Sequence, residues 1–414
     1  MTSLCLKDAA WIVPMTGEPV RGEGFSSLEV LEQCSVNLEG DRVASVGRGD
    51  DAEVVFDASG CTVVPGFVDC HTHLPFFGWR ADEDAARLSG VRYQDLHRGE
   101  GGIFRSARML SEGSDDDVLE FCAGLAAAML RKGTTTFEMK SGYGLSVEAE
   151  LHQLRLAARL SERVPQRTTA TCLAAHAVPP GKSQGEWVGE AAAELLPTVA
   201  REKLASACDL YVESIAFALE HAARLAETAS ELGLRMRVHA DQLEDSQAGS
   251  FAARWGFASA DHLNHTSLDA VSDLAPSETV AVLLPGATFT LRQSAKPPAR
   301  SLIEAGAVVA LGSDLNPGTS PILSMPFVIT LACRTYGLRP LEAVAAATLN
   351  AAFALGLHEE VGSLVPGHRA DAVVLAGPLD EICYRPDRDP VVAVVCGGKV
   401  VHVRSGAEGR VSRA

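Results

Sequence analysis

The sequence predicts an α/β chain: a (β/α)8 TIM-like barrel with a small β-sandwich built from both termini. Three observations lead there. Through the middle, amphipathic helical stretches alternate with short apolar, β-branched runs. Both ends share a strand-and-turn texture that the middle lacks. No GxGxxG turn follows an early strand, which weighs against a doubly wound open sheet.

Taking the elements in order, residues 4–12, 35–46 and 53–65 carry β-rich runs, and CSVNLEGDRVASVG alternates around a Glu39-Gly40-Asp41 turn. The texture returns in 371–376 and 391–403, the latter with a Gly397-Gly398 hairpin turn. We read these as one module, 1–61 with 361–414, rather than separate hairpins on the barrel. That leaves 62–360 for the barrel. Within it VLEFCAGLAAAMLRKG reads as a helix ending at Gly133, and TTTFEMK follows as a strand. ALEHAARLAETASELG and RMRVHA repeat the pattern. Eight strands are expected this way: 62–70, 134–140, 168–175, 208–213, 235–240, 258–263, 279–285 and 307–313.

Composition narrows the function. With 414 residues, 47% hydrophobic and 21% charged, there is material for a large buried core. A formal net charge of −17 repels nucleic acid and anionic membranes. An anionic small substrate needs a local cationic clamp. The N-terminus lacks a basic segment followed by a long apolar run, and no stretch of about 18 apolar residues occurs, so neither a signal peptide nor a bilayer span is expected. Ten scattered cysteines without a CxxC pair read as reduced thiols of a cytoplasmic protein.

The polar residues at the strand ends carry the chemistry. His71 and His73 end the first expected strand, His239 the fifth, His262 the sixth and Asp314 the eighth. A barrel enzyme works at the mouth formed by these C-terminal ends. Side chains alternate along a strand, so His71 and His73 point to one side and can share an ion. With His239 and Asp314 they make three imidazoles and a carboxylate. That set suits zinc, or iron, one ion per chain, with room for a water whose pKa the ion lowers. A lone HxH is most often structural. Several titratable residues on separate strand ends are not readily explained that way.

At this point the motifs become familiar. VVPGFVDCHTH resembles the opening metal motif of the amidohydrolase superfamily. HTHLPFFGWR, EMKSGYGL, AAHAVPP, VHADQL, SADHL, VAVLLPGA and SDLNPGTSP, in order across the barrel, resemble its imidazolonepropionase family. The resemblance implies a (β/α)8 barrel flanked by a β-sandwich, a cytoplasmic homodimer, and hydrolysis of 4-imidazolone-5-propanoate to N-formimidoyl-L-glutamate. It implies that His71, His73, His239 and Asp314 are metal ligands. Arg80, Tyr143, His176, Gln242, Asn316, Gly318 and Thr319 fall where the family contacts substrate or product. His262 falls where the family has a histidine beside the reacting water.

On their own, these residues have plainer readings. Arg80 could be a solvated loop arginine, yet planar bidentate pairing suits a propanoate tail. Tyr143 sits between Gly142 and Gly144, which let backbone approach a ligand. Gln242 reads equally as a loop cap or as a partner for ring nitrogens. Asn316, Gly318 and Thr319 read as a turn and helix cap. Lys140 is expected in an ion pair with Glu138 or another rim carboxylate. Leu74, Pro75 and Trp79 depart from the family's run and are expected to reshape a pocket wall. Asp241 adds a carboxylate beside Gln242. The implied mechanism is attack of hydroxide on the ring carbonyl. His262 or His176 stabilises the oxyanion, and Asp314 or His262 carries the proton. A related enzyme acting on another five-membered lactam or deaminating an amino-heterocycle, and a silent binding protein, are the competing readings.

Overall fold

The computed structural model describes residues 2–91 and 101–413. Five strands open the chain: β1 (Ser3–Ile12), β2 (Leu31–Glu39), β3 (Arg42–Gly47), β4 (Val54–Asp57) and β5 (Cys61–Pro65). Eight follow through the middle: β6 (Phe67–Asp69), β7 (Thr134–Lys140), β8 (Arg167–Ala175), β9 (Ala207–Val212), β10 (Arg235–Ala240), β11 (Ser259–His262), β12 (Val280–Leu283) and β13 (Val309–Leu311). The chain closes with β14 (Ala372–Ala376), β15 (Val391–Cys396), β16 (Lys399–Val403) and β17 (Val411–Arg413).

The terminal strands form one mixed sheet, ordered β16-β15-β14-β5-β1-β2-β3, with β4 joining β1 and β17. Its two-layered form comes from a bulge in β1. The register slips between Leu6 and Ala9, where Asp8 has φ +55°. Before the bulge β1 pairs with β4; after it, with β5. One strand thus feeds both layers, and Leu6, Ile12, Phe56, Val63, Val374 and Val395 fill the space between. The Gly397-Gly398 turn takes φ +56° and +73°, the pair that a two-residue hairpin of the expected type needs.

The middle strands run parallel in chain order from β6 to β13, with helices between them. Their burial is nearly complete; every residue of β7 and β9 is buried, as strands covered on both faces require. The helix Asp115–Arg131 shows how the connections are specified. Ser114 caps its first turn, Val118, Cys122, Ala126 and Met129 face inward, and Gly133 ends it at φ +92°.

All eight expected strand regions are occupied, with one correction. The run 62–70 is two strands in two sheets. At Gly66 the chain crosses from β5 to β6, so close to Thr135 that a Cβ would lie 2.0 Å from its hydroxyl. No ladder joins β13 to β6 along their length. The gap is bridged beyond them, where Asp314 N–H donates to His71 O and His73 N–H to Leu315 O, both at 2.9 Å. Barrel closure therefore lies on the segments that carry three of the proposed metal ligands. No helix among the described residues is long and apolar enough to cross a membrane.

Candidate metal centre and substrate cavity

His71, His73, His239, His262 and Asp314 converge at the C-terminal mouth, all at most 3% exposed. His262 and Asp314 hold left-handed backbone, φ +78° and +54°, which costs energy at a non-glycine residue and turns their side chains inward off the strand line. Candidate ligand atoms gather in two overlapping groups, His71 with His239 and His262, and His71 with His73 and Asp314.

Their spacing fits an ion. Asp314 Oδ1 is 3.1 Å from His73 Nε2 and 3.6 Å from His71 Nε2, and His73 Nε2 is 3.5 Å from His239 Nε2. Tetrahedral ligands about 2.0–2.1 Å from zinc lie roughly 3.3 Å apart. The tautomers fit as well. His71 Nδ1 is 2.6 Å from Asp261, and His239 Nδ1 is 3.2 Å from Asp209. A carboxylate accepts, so each Nδ1 carries the hydrogen and each Nε2 presents its lone pair. His71 Nε2 is buried without a hydrogen-bond partner.

Burial sets the charge states. It holds His71 well below the usual imidazole range, helped by the Lys140 ammonium and the neighbouring histidines. It also lowers His73, against the pull of Asp314, and takes His262 down to about 3. These rings are neutral near pH 7, as ligation requires. Burial pushes Asp314 up, but the hydrogen bond from His73 and the surrounding histidines outweigh it and hold the carboxyl low.

Beneath the candidate ligands lies a buried charge layer. Lys140 Nζ sits 2.6 Å from Asp209, 3.0 Å from Glu138 and 3.8 Å from Asp261. The ion pair expected with Glu138 is present, and it extends further. Arg237 reaches Glu138 at 3.1 Å and Asp261 at 3.5 Å, and donates to Cys70 O. Burial and Arg237 push Lys140 down, but the carboxylates prevail and keep it above the usual lysine range. Burial likewise opposes Asp209, yet Lys140 and His239 hold it far below the carboxylate range. Burial raises Asp261 against Arg237 and Lys140. The readable signal was weak: a single carboxylate inside each of two fully buried strands, in DLYV and SADH.

The cavity above the ligands is lined by Arg80, Tyr143, His176, Gln242, Asn316 and Thr319, together with Tyr211 and Ile103, which the sequence reading missed. Arg80 is 3% exposed; its Nε and Nη1 have no hydrogen-bond partner, and Nε lies 3.6 Å from Glu83. The His176 ring stacks on His73 at 5.1 Å, and its Nδ1 meets Gly142 O at 3.1 Å. Tyr143 lies 5.5 Å from the His176 ring. Gly318 is not on the wall but under Arg80: a Cβ there would lie 1.6 Å from Nη2. The expected helix cap is not at this loop, since Ser324 caps the next helix (Met325–Leu331), but Asn316 does close the expected turn. Its Oδ1 accepts from Gly318 N and Thr319 N, and its amide donates to Asp314 O and the Thr319 hydroxyl.

Two expectations are corrected. Leu74, Pro75 and Trp79 do not line this cavity. Leu74 and Trp79 join the apolar cluster behind it, where Trp79 packs edge-on to Phe76 and Phe121. Asp241 adds no carboxylate to the pocket either. It turns away to accept from Ser246, Ala248, Gly249 and Thr266, anchoring the start of the helix Ala248–Trp255.

Comparison with known proteins shows the family and the fold. Residues 62–401 match the family model described as the Amidohydrolase family. The chain is 42% identical to the imidazolonepropionase of Symbiobacterium thermophilum, over 96% of this chain and 97% of that one. It is 42% identical to that of Rubrobacter xylanophilus, over 96% and 98%. In fold it resembles an atrazine chlorohydrolase from Arthrobacter aurescens TC1 crystallised with zinc and atraton (TM-score 0.75, 15% identity, 96% and 95% coverage). It also resembles an adenosine deaminase from Xanthomonas campestris with bound zinc (TM-score 0.66, 20% identity, 97% and 93% coverage). The chain belongs to the amidohydrolase family and, within it, to the imidazolonepropionases.

Proposed function

We propose that this chain hydrolyses the ring amide of 4-imidazolone-5-propanoate to N-formimidoyl-L-glutamate in histidine degradation. The observation that carries the reading is one cavity with a buried His/Asp cluster on one wall and a buried, under-partnered guanidinium on another. The cluster suits a reacting carbonyl, and the guanidinium suits an anionic tail. The relatives named above support the same substrate.

His71, His73, His239 and Asp314 would hold one zinc or iron ion per chain. When bound, the ion acidifies a water and polarises the ring carbonyl. The protein's own groups do the rest. Arg80 binds the propanoate and Tyr143 closes the same end. His176, with its Nδ1 hydrogen directed at Gly142 O, presents the Nε2 lone pair to a ring N–H. That leaves His262, neutral and with an unpartnered Nδ1, to donate to the oxyanion. Asp314 or His262 takes the water's proton and returns it to the departing ring nitrogen. Gln242 contacts the ring, Asn316 and Thr319 shape the wall beside it, and Gly318 floors the Arg80 guanidinium. The reading includes a cytoplasmic homodimer with no nucleic-acid or membrane partner. It divides the chain into a composite module (1–61 with 361–414) and the catalytic barrel (62–360).

Freshly made imidazolone propanoate incubated with the protein tests this by mass spectrometry. Gain of one water with loss of the ring is expected. Release of ammonia from an aminated heterocycle, with no change in imidazolone propanoate, would replace this reading with deamination.

A further inference from the structure

We infer that Arg87 is a positioning residue for substrate-tail recognition, acting through Gly318 on Arg80. The inference rests on the reading of Arg80 as the propanoate clamp. Arg87 lies in the last turn of the short helix Ala81–Leu88, whose N-cap is Arg80. Its side chain is 9% exposed, and its Nε and Nη1 are buried without a hydrogen-bond partner. A guanidinium in that state is costly unless its remaining nitrogen does something specific. Nη2 donates to Gly318 O at 2.8 Å and to Asp84 Oδ1 at 2.7 Å.

The Gly318 peptide is where this matters. The Arg80 guanidinium lies across Gly318 Cα so closely that a Cβ would fall 1.6 Å from Nη2 and 2.4 Å from Cζ. The inner side of the loop is fastened by Asn316, whose Oδ1 takes Gly318 N–H and Thr319 N–H. Its outer carbonyls are held by the helix: Pro317 O by Arg80 N–H at 3.0 Å, and Gly318 O by Arg87. Both ends of one helix thus grip two consecutive carbonyls of the loop that floors the clamp. Without Arg87 the Gly318 carbonyl loses its outer anchor, and the floor under Arg80 can tilt. The hydrogen-bond partners of Arg87 among the described residues, Asp84 and Gly318 O, do not include the proposed metal ligands. The effect falls on binding of the tail and spares the chemical step.

The test is a double-mutant cycle read on two substrates, imidazolone propanoate and an imidazolone lacking the propanoate. Arg87→Met is expected to raise KM for the propanoate substrate about tenfold with kcat within about threefold, and to leave the tail-less substrate unchanged. In an Arg80→Met background, Arg87→Met should add less than about twofold, since its route is already gone. Asp84→Asn, on a partly exposed partner, should give the same pattern more weakly, and it decides the matter if Arg87→Met does not fold. Equal losses on both substrates, or effects that multiply with Arg80→Met, would overturn the inference while leaving the clamp standing. An Arg80→Met enzyme with no selective loss would remove the clamp and this inference together.

Discussion

His71 and His239, on the metal side of the mouth, each hydrogen-bond a buried carboxylate, whereas Arg80, on the other side, lies against backbone with Glu83 only at 3.6 Å. Asp261 and Asp209 orient the two rings, and Lys140 and Arg237 tie those carboxylates into one network. Across the cavity, Arg80 rests on Gly318 Cα, with loop carbonyls gripped from outside. The metal side is fixed by charges in a dry interior, where each partner removed leaves another exposed to a low dielectric. The tail side is held by backbone contact and one long ion pair, Arg80 to Glu83 at 3.6 Å. Damage on the first should appear as lost metal and lost turnover, and damage on the second as lost discrimination between substrates.

The sharpest break of that division is Asp314→Asn. The carboxylate is a proposed ligand and proton carrier, so turnover should fall roughly 10²–10⁴-fold with far less change in substrate affinity, measured by steady-state kinetics. Near-normal turnover would remove Asp314 from the mechanism. Next come Asp209→Asn and Asp261→Asn, which keep the shape beneath His239 and His71 and remove the charge. Metal affinity, read by chelator competition, should weaken about 10- to 100-fold. Unchanged affinity would reduce the charge layer to packing.

On the opposite wall, Arg80→Met should lower kcat/KM for imidazolone propanoate about ten- to hundredfold, for a charge-assisted contact of about 1.5–3 kcal/mol. An imidazolone without the tail should react equally with both proteins; equal losses would make Arg80 structural.

The smallest effect concerns Glu213, just past β9, which accepts from Leu243 N at 2.7 Å and so braces the segment carrying Gln242. Burial raises its carboxyl from an ordinary 4.5 to about 7, against those backbone hydrogen bonds. The folded form therefore holds a proton that the unfolded chain releases. Its contribution to stability is present below about 4.5 and is lost as pH rises through about 7. Glu213→Gln should flatten that part of the melting-temperature profile. A profile superimposable on wild type would show that this group does not titrate there.

What could be read beforehand follows the same division. The barrel was legible because buried parallel strands are written as short apolar runs, and the clustering of the candidate ligands because they end those runs. The two-sheet break at Gly66 was not, since VVPGFVD reads as one continuous strand while the crossover depends on contact with Thr135. Asp209 and Asp261 stayed hidden because a single carboxylate in a strand does not say which histidine it faces. Leu74 and Trp79 depart from the family's run and so read as pocket wall, yet an apolar cluster with Phe76 and Phe121 claims them. Asp241 was drawn to the pocket by its neighbour Gln242, but the helix Ala248–Trp255 offers its carboxylate open N–H groups.

The reading of the metal side is tested most directly by elemental analysis alongside turnover of imidazolone propanoate, before and after a strong chelator. About one ion per chain is expected, with activity falling as the ion leaves and returning when zinc or iron is restored. A preparation that holds no metal and turns over at full rate would contradict it.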